Sequence, residues 1–154
     1  IIRRPLALHV LFTRRASALK HHAGQVSFPG GSMEPGDADV VGTALRETDE
    51  EIGVAPDDVR IIGVLNPVPT ITGFAVTPVV GLVSANARLH LDPGEVERAF
   101  EVPLDFLLND ANVHRSSRKI DGVSVPLHEY GYGGERIWGV TAAMIIDFRS
   151  IIQN

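Results

Sequence analysis

The chain has 154 residues, a length that fits one domain able to bury most of the apolar surface its unfolded form exposes. A formal charge of −5 argues against a broad nucleic-acid footprint, while a local basic patch could still hold one phosphorylated ligand. With no Cys, disulfides, zinc–thiolate sites and cysteine nucleophiles are excluded, and no stretch approaches the roughly 18 uninterrupted apolar residues of a membrane span. A reducing, cytoplasmic setting is compatible with this composition. The chain opens on Ile1 rather than Met, which leaves targeting signals open, and Ile1-Ile2-Arg3-Arg4 reads as the tail of a strand that starts earlier.

In chain order, residues 6–13 lean to β-structure, bounded by Pro5 and the pair Arg14-Arg15. An irregular basic segment covers residues 16–25, and Val26-Ser27-Phe28 runs into Pro29-Gly30-Gly31, a strand stop and turn. Asp37 or Asp39 caps the next helix, which reaches about Ile52 and stops at Gly53. Within it Val40, Val41, Ala44, Leu45, Thr48 and Ile52 recur at helical spacing. Residues 59–65 and 74–83 are expected strands, separated by the rigid loop Asn66-Pro67-Val68-Pro69-Thr70. Residues 102–108 predict a short helix started by Pro103, and residues 122–132 a strand pair or sheet edge. Val140, Met144, Ile145, Phe148, Ile151 and Ile152 mark an amphipathic C-terminal helix. No linker divides the chain and no strand–GxGxxG–helix unit occurs. The expectation is a single domain over residues 1–154, α/β (α+β) in class, with a mixed sheet covered by helices.

Chemistry concentrates in Arg46-Glu47-Thr48-Asp49-Glu50-Glu51, four acids among six residues. Like charges on one helix repel by a few tenths of a kcal/mol per pair, and a hard divalent cation reverses that sign. Glu47 and Glu51, spaced i, i+4, share a face that Glu50 borders. Arg46 can hold a carboxylate through its planar fork, and Gly30-Gly31 can expose carbonyls and let a phosphate approach. On spacing alone two readings stay open, a solvated acidic face and a metal site. Trp138, Tyr130 and Tyr132 are read as packing residues.

Gly31 and Arg46-Glu47-Thr48-Asp49-Glu50-Glu51-Ile52-Gly53-Val54 resemble the Nudix box, whose end reads R-E-U-x-E-E-x-G-U with U a bulky apolar residue; Thr48 stands at the first U. The usual opening, G-x5-E-x7-R, counted back from Arg46, falls on Ser32 and Ala38. With one extra residue in the loop it falls on Gly31 and Asp37. That longer loop resembles the coenzyme A pyrophosphatase-like branch of the Nudix hydrolases. Leu11-Phe12-Thr13-Arg14-Arg15, Leu19-Lys20-His21-His22-Ala23-Gly24-Gln25-Val26-Ser27-Phe28-Pro29-Gly30-Gly31, Thr43-Ala44-Leu45-Arg46-Glu47 and Ile137-Trp138-Gly139-Val140-Thr141-Ala142 look like the same branch, in the expected order.

The resemblance implies a Nudix-type α/β/α sandwich that hydrolyses a nucleoside diphosphate derivative with Mg²⁺ or Mn²⁺ and water. It makes Glu47 and Glu51 the leading metal ligands, Glu50 a third and the Gly31 carbonyl a fourth, with Arg46 orienting Glu47 or Glu50. Glu47 is the first choice of general base, and Glu95 in Pro93-Gly94-Glu95-Val96-Glu97 is the candidate outside the box. Arg15 and His22 become candidates for binding the substrate's extra phosphate, beside Gly30 and Gly31. Lys20 lies in the same segment, whereas Arg115, Arg118 and Lys119 form a basic cluster with no motif behind it. The implied substrate is coenzyme A or its thioesters, giving 4′-phosphopantetheine and adenosine 3′,5′-bisphosphate. ADP-ribose, NADH and nucleoside triphosphates are alternative substrates, and a non-catalytic nucleotide-binding module is the third reading. The implied partner is a small nucleotide-like molecule, with no nucleic acid and no membrane; homodimerisation is left open.

Overall fold

The apolar run near the N-terminus forms strand β2 (Ala7–Arg15), entered from β1 (Ile2–Arg4) through a turn at Pro5-Leu6. In this computed structural model, which describes residues 1–70, 73–120 and 122–153, β2 is the spine of the larger sheet. One of its edges pairs antiparallel with β8 (Val96–Pro103) and the other with β1 and, further along, β3 (Val26–Ser27). Beyond β1 come β7 (Val79–Val83), parallel to β1, and β4 (Val59–Val64), antiparallel to β7. One parallel pair among antiparallel ones makes this the expected mixed sheet.

Successive side chains of a strand point to opposite faces, so β2 feeds two cores. Val10 and Phe12 join a cluster with Val102, Leu107, Tyr130 and Ile145, covered by α2 (Leu104–Leu108) and α3 (Gly139–Ile152). Leu11 joins Ile2, Ile52, Val54 and Val96 on the other face, beneath α1 (Val40–Ile52). The layers are helix, sheet, helix, the α/β/α arrangement that the resemblance implies. Phe12, fully buried, stacks between Phe28 and Phe100 with ring centroids 4.9 and 5.6 Å away. The buried Thr141 hydroxyl donates to the Val26 carbonyl at 3.1 Å, fastening α3 to β3.

Departures from the sequence reading have local causes. The strand expected over residues 74–83 is two strands, β6 (Ala75–Val76) and β7, because Pro78 has no N–H to give to a ladder. β6 pairs with β5 (Val68–Pro69), inside the segment expected to be a loop. A second sheet carries β10 (Val123–Tyr132) between β9 (His114–Ile120) and β11 (Glu135–Trp138). β9 reads His-Arg-Ser-Ser-Arg-Lys-Ile and has no apolar alternation to announce it. Tyr130 is fully buried and Tyr132 meets Phe106 edge-on, but Trp138, expected in the core, is 39% exposed beneath the Arg136 guanidinium. Among the described residues, no helix is long and apolar enough to cross a membrane.

The ends of α1 are chemically marked. Asp39 accepts the Gly42 N–H at 2.8 Å as N-cap, and Gly53 ends the helix at φ 67°, its N–H donating to the Asp49 carbonyl. A methyl group at Gly53 would lie 2.7 Å from His90 Cβ. Gly53→Ala therefore combines backbone strain with a clash. It should lower stability by more than the about 1 kcal/mol expected for Asp39→Ala, as read from paired urea denaturation curves.

Candidate functional site

The acids of α1 are organised first by a cation. Arg46 Nε and Nη2 donate to the two carboxylate oxygens of Asp37 at 2.9 and 3.0 Å. Its Nη1 donates to Glu47 and Glu50, both at 3.1 Å, and Nη2 also reaches the Ser32 carbonyl. One guanidinium thus ties two helix acids to the loop that follows the glycine turn. Asp37 is held well below the usual carboxylate range by Arg46, then by the Glu34 N–H and the Thr43 hydroxyl. Sequence reasoning met Asp37 only as a cap and as a position in the box. The one-residue shift that aligned it with the acid of the box was the signal of its tie to Arg46.

Glu51 is the unusual carboxylate. It is 2% exposed, and burial first, with the like charges of Glu95 and Glu47, pushes its pKa up to about 7 against the opposing Gly30 N–H and Arg15. Glu95 comes close because the loop after β7 closes the C-terminal end of α1. The His90 N–H donates to the Ile52 carbonyl at 2.8 Å, and the Asp92 N–H to the Glu51 carbonyl at 3.0 Å. The Ala16 N–H then donates to the Glu95 carbonyl at 2.8 Å, fixing this loop to the end of β2. Gly31 sits against Glu47 from the other side: a methyl there would fall 2.5 Å from Glu47 Cδ.

The candidates separate on this frame. Glu47, Glu51, Glu95, Arg15, Gly30 and Gly31 share one neighbourhood, in which Arg15 has a buried Nε with no hydrogen-bond partner among the described residues. Glu50 lies at the margin, its side chain 55% exposed and turned to Arg46. His22 is exposed on the preceding loop, with its Nδ1 3.1 Å from Gln25 Oε1. Arg115, on β9 of the second sheet, is held by Asp110 at 2.5 Å.

Among the described residues, no three acidic or histidine side chains converge as a ready metal-binding group; Arg46 draws Glu47 and Glu50 toward itself. The donor chemistry nevertheless fits a hard cation. The buried Glu51 feels the charges of both Glu95 and Glu47, and Gly31 leaves Glu47 room that a side chain would fill.

The raised Glu51 pKa has a definite sign in stability. The folded protein holds a proton that the unfolded chain releases, so this group's contribution falls as pH rises from 4.5 to about 7. In metal-free buffer, Glu51→Gln should flatten that decline in apparent Tm; an unchanged slope would contradict the burial argument.

A family model for the NUDIX domain matches residues 2–130. The uncharacterized Nudix hydrolase NudL of Photorhabdus laumondii is 39% identical over 144 residues, covering 94% of this chain and 77% of the relative. NudL of Pectobacterium atrosepticum is 44% identical over 138 residues, covering 88% and 71%. Among solved structures, the Nudix hydrolase RenU from M. smegmatis matches with a TM-score of 0.65 at 16% identity, over 99% of this chain and 80% of its own. A binary complex of the C. elegans Ap4A hydrolase matches with 0.55 at 19%, over 68% and 77%. At these identities the structural likeness speaks for the fold alone. A family model that spans most of the chain, together with relatives near 40% identity, shows that the chain belongs to the Nudix hydrolase family.

Proposed function

We propose that this protein, read as one domain over residues 1–154, hydrolyses the diphosphate linkage of coenzyme A or its thioesters in the cytoplasm. The products are 4′-phosphopantetheine, or its acyl form, and adenosine 3′,5′-bisphosphate. The observation that carries this reading is the position of Arg15. The segment that resembles the coenzyme A branch delivers a guanidinium whose buried Nε has no partner among the described residues to the neighbourhood of Glu51, beside the glycine turn. A cation there suits a substrate with one phosphate more than its diphosphate bridge.

In this reading Glu47, Glu51 and Glu50, with the Gly31 carbonyl, would hold Mg²⁺ or Mn²⁺, which would supply charge neutralisation at the phosphates and lower the pKa of water. Glu47 takes the proton of the attacking water, with Glu95 as the second candidate base. The water oxygen bonds one phosphorus while the bridging oxygen leaves on the other phosphate. Arg46 keeps Glu47 oriented from its anchor on Asp37. Gly30 and Gly31 leave the turn bare, so a phosphate approaches backbone rather than side chain. Arg15 and His22 face the 3′-phosphate side of the substrate.

Incubation with coenzyme A and Mg²⁺ should release adenosine 3′,5′-bisphosphate, resolved by chromatography; cleavage of ADP-ribose or NADH without it rejects the substrate assignment. Glu51→Gln should lower turnover by roughly 10²-fold or more with the circular dichroism spectrum unchanged, and near-normal turnover would remove Glu51 from the ligand set. Arg15→Ala should raise KM for coenzyme A more than for dephospho-coenzyme A. Equal effects would end its role at the 3′-phosphate.

A further inference from the structure

We infer that a pocket at the edge of β11, facing the loop ahead of β3, binds a purine whose edge sets a hydrogen-bond donor beside an acceptor, as adenine does. It measures about 290 Å³, and its walls include Arg14, Gly24, Gln25, Glu135, Arg136 and Trp138. Pockets for drug-sized ligands start near roughly 300 Å³, so this one suits a single flat ring system. Arg14 shares its face of the larger sheet with Arg98 and with the core around Phe12, whereas Arg15 turns to Glu51. The pocket and the acidic site therefore lie on opposite faces of one sheet, and the inference does not rest on the proposed reaction.

Two side chains in its walls have hydrogen-bonding groups to spare. Glu135 is buried and one of its oxygens accepts from Arg98; the other, Oε2, accepts no hydrogen bond among the described residues. Arg14 Nη1 lies 3.7 Å from Oε2 and Arg14 Nε 3.9 Å from Glu97, distances of ion pairs rather than hydrogen bonds. The buried Nε of Arg14 likewise has no partner among the described residues. The neighbouring Arg136, by contrast, is engaged by Glu129 at 2.6 Å.

A guanidinium beside a carboxylate oxygen presents a donor next to an acceptor, and its complement presents an acceptor next to a donor. Adenine carries that edge in N7 and the N6 amino group. A phosphodiester offers acceptors only and meets the charge of Glu135, so the same pair turns a phosphate away. The flat wall is Trp138, whose ring centroid lies 5.1 Å from the Arg136 guanidinium carbon. The ring is left 39% exposed because β11 turns Glu135 and Ile137 inward and Arg136 and Trp138 outward. A purine that stacks there covers apolar ring surface that water otherwise meets.

The wall contributed by the loop is fixed before any ligand arrives. The Gly24 N–H donates to the Arg15 carbonyl at 3.1 Å, and the Arg15 N–H to the Gln25 carbonyl at 2.9 Å. Val26, next in the chain, is latched by the Thr141 hydroxyl. Glu135 itself joins the two sheets, reaching from β11 to Arg98 on β8 and towards Arg14 on β2. In a preformed pocket the hydrogen bonds to a base are not offset by the cost of ordering a loop.

Trp138 is the chain's single tryptophan, so its fluorescence reports on this pocket. AMP titrated in EDTA should quench it saturably, with a Kd lower by about tenfold or more than that of purine riboside 5′-monophosphate, which lacks the amino group. In Glu135→Gln, Arg98 holds the amide oxygen and the N–H₂ faces the pocket, so this preference should vanish; a preference that persists in the folded variant overturns the part given to Glu135. Should that variant fail to fold, the two nucleotides on the unaltered chain still decide. Absence of saturable quenching by AMP, or equal quenching by purine riboside 5′-monophosphate or by ribose 5-phosphate, overturns the inference. Coenzyme A quenching as AMP does assigns the base to the proposed substrate, and AMP quenching alone assigns it to a separate nucleotide; both outcomes uphold the site. Failure to cleave coenzyme A leaves these readouts untouched.

Discussion

A carboxylate without water, set among others of its own sign, is the condition to which the surrounding structure answers. Glu51 sits at the last turn of α1, where the carbonyl end of the helix adds no help to a negative charge. The chain meets this with what lies to either side. The Gly30 N–H and Arg15 oppose the upward shift, and Arg46 takes the charge of Glu47 and Glu50 outward to Asp37. The loop of residues 90–95 covers the helix end with backbone donors but also brings Glu95, a further acid. Adding an acid to a site already short of positive charge makes sense when a cation or a proton completes the balance.

Two kinds of constraint meet in β2. Its alternation supplies a residue to each core, and its far end carries Arg14 and Arg15 on opposite faces. Arg14 lies beside Glu135 and Glu97, whereas Arg15 reaches the neighbourhood of Glu51. The strand that organises packing therefore also places a charge at the site, without a separate element for the purpose. The antiparallel match to β8 delivers Glu95 in the same way, one residue before Val96 pairs with Arg15.

What was legible in the sequence is what is encoded locally. α1 could be read with both ends because Asp39, Gly53 and the apolar spacing act within a few residues, and the acids of the box lie on that one helix. A mixed sheet covered by helices followed from the same patterns, while the α/β/α layering came with the resemblance. The neighbourhood of Glu51 could not be read this way, since Arg15 and Glu95 reach it through strand pairing and loop closure across long stretches of chain. Resemblance named them; periodicity could not. β9 escaped because its residues are nearly all polar, and β11 because four residues, of which Ile137 alone is an apolar core residue, are too short a run to show an alternation. Trp138 misled because a large ring suggests burial, yet here its face serves a guanidinium.

The bond from Thr141 to Val26 spans 115 residues. Contacts of such sequence separation carry a loop-closure cost that local structure does not, and they form late. Val26 lies just before the glycine turn, and its carbonyl is latched by Thr141 of α3. During synthesis, then, α1 and its acids can be in place while the turn opposite them still lacks its fastening. The fastening of the turn therefore waits on α3, which is synthesised long after α1.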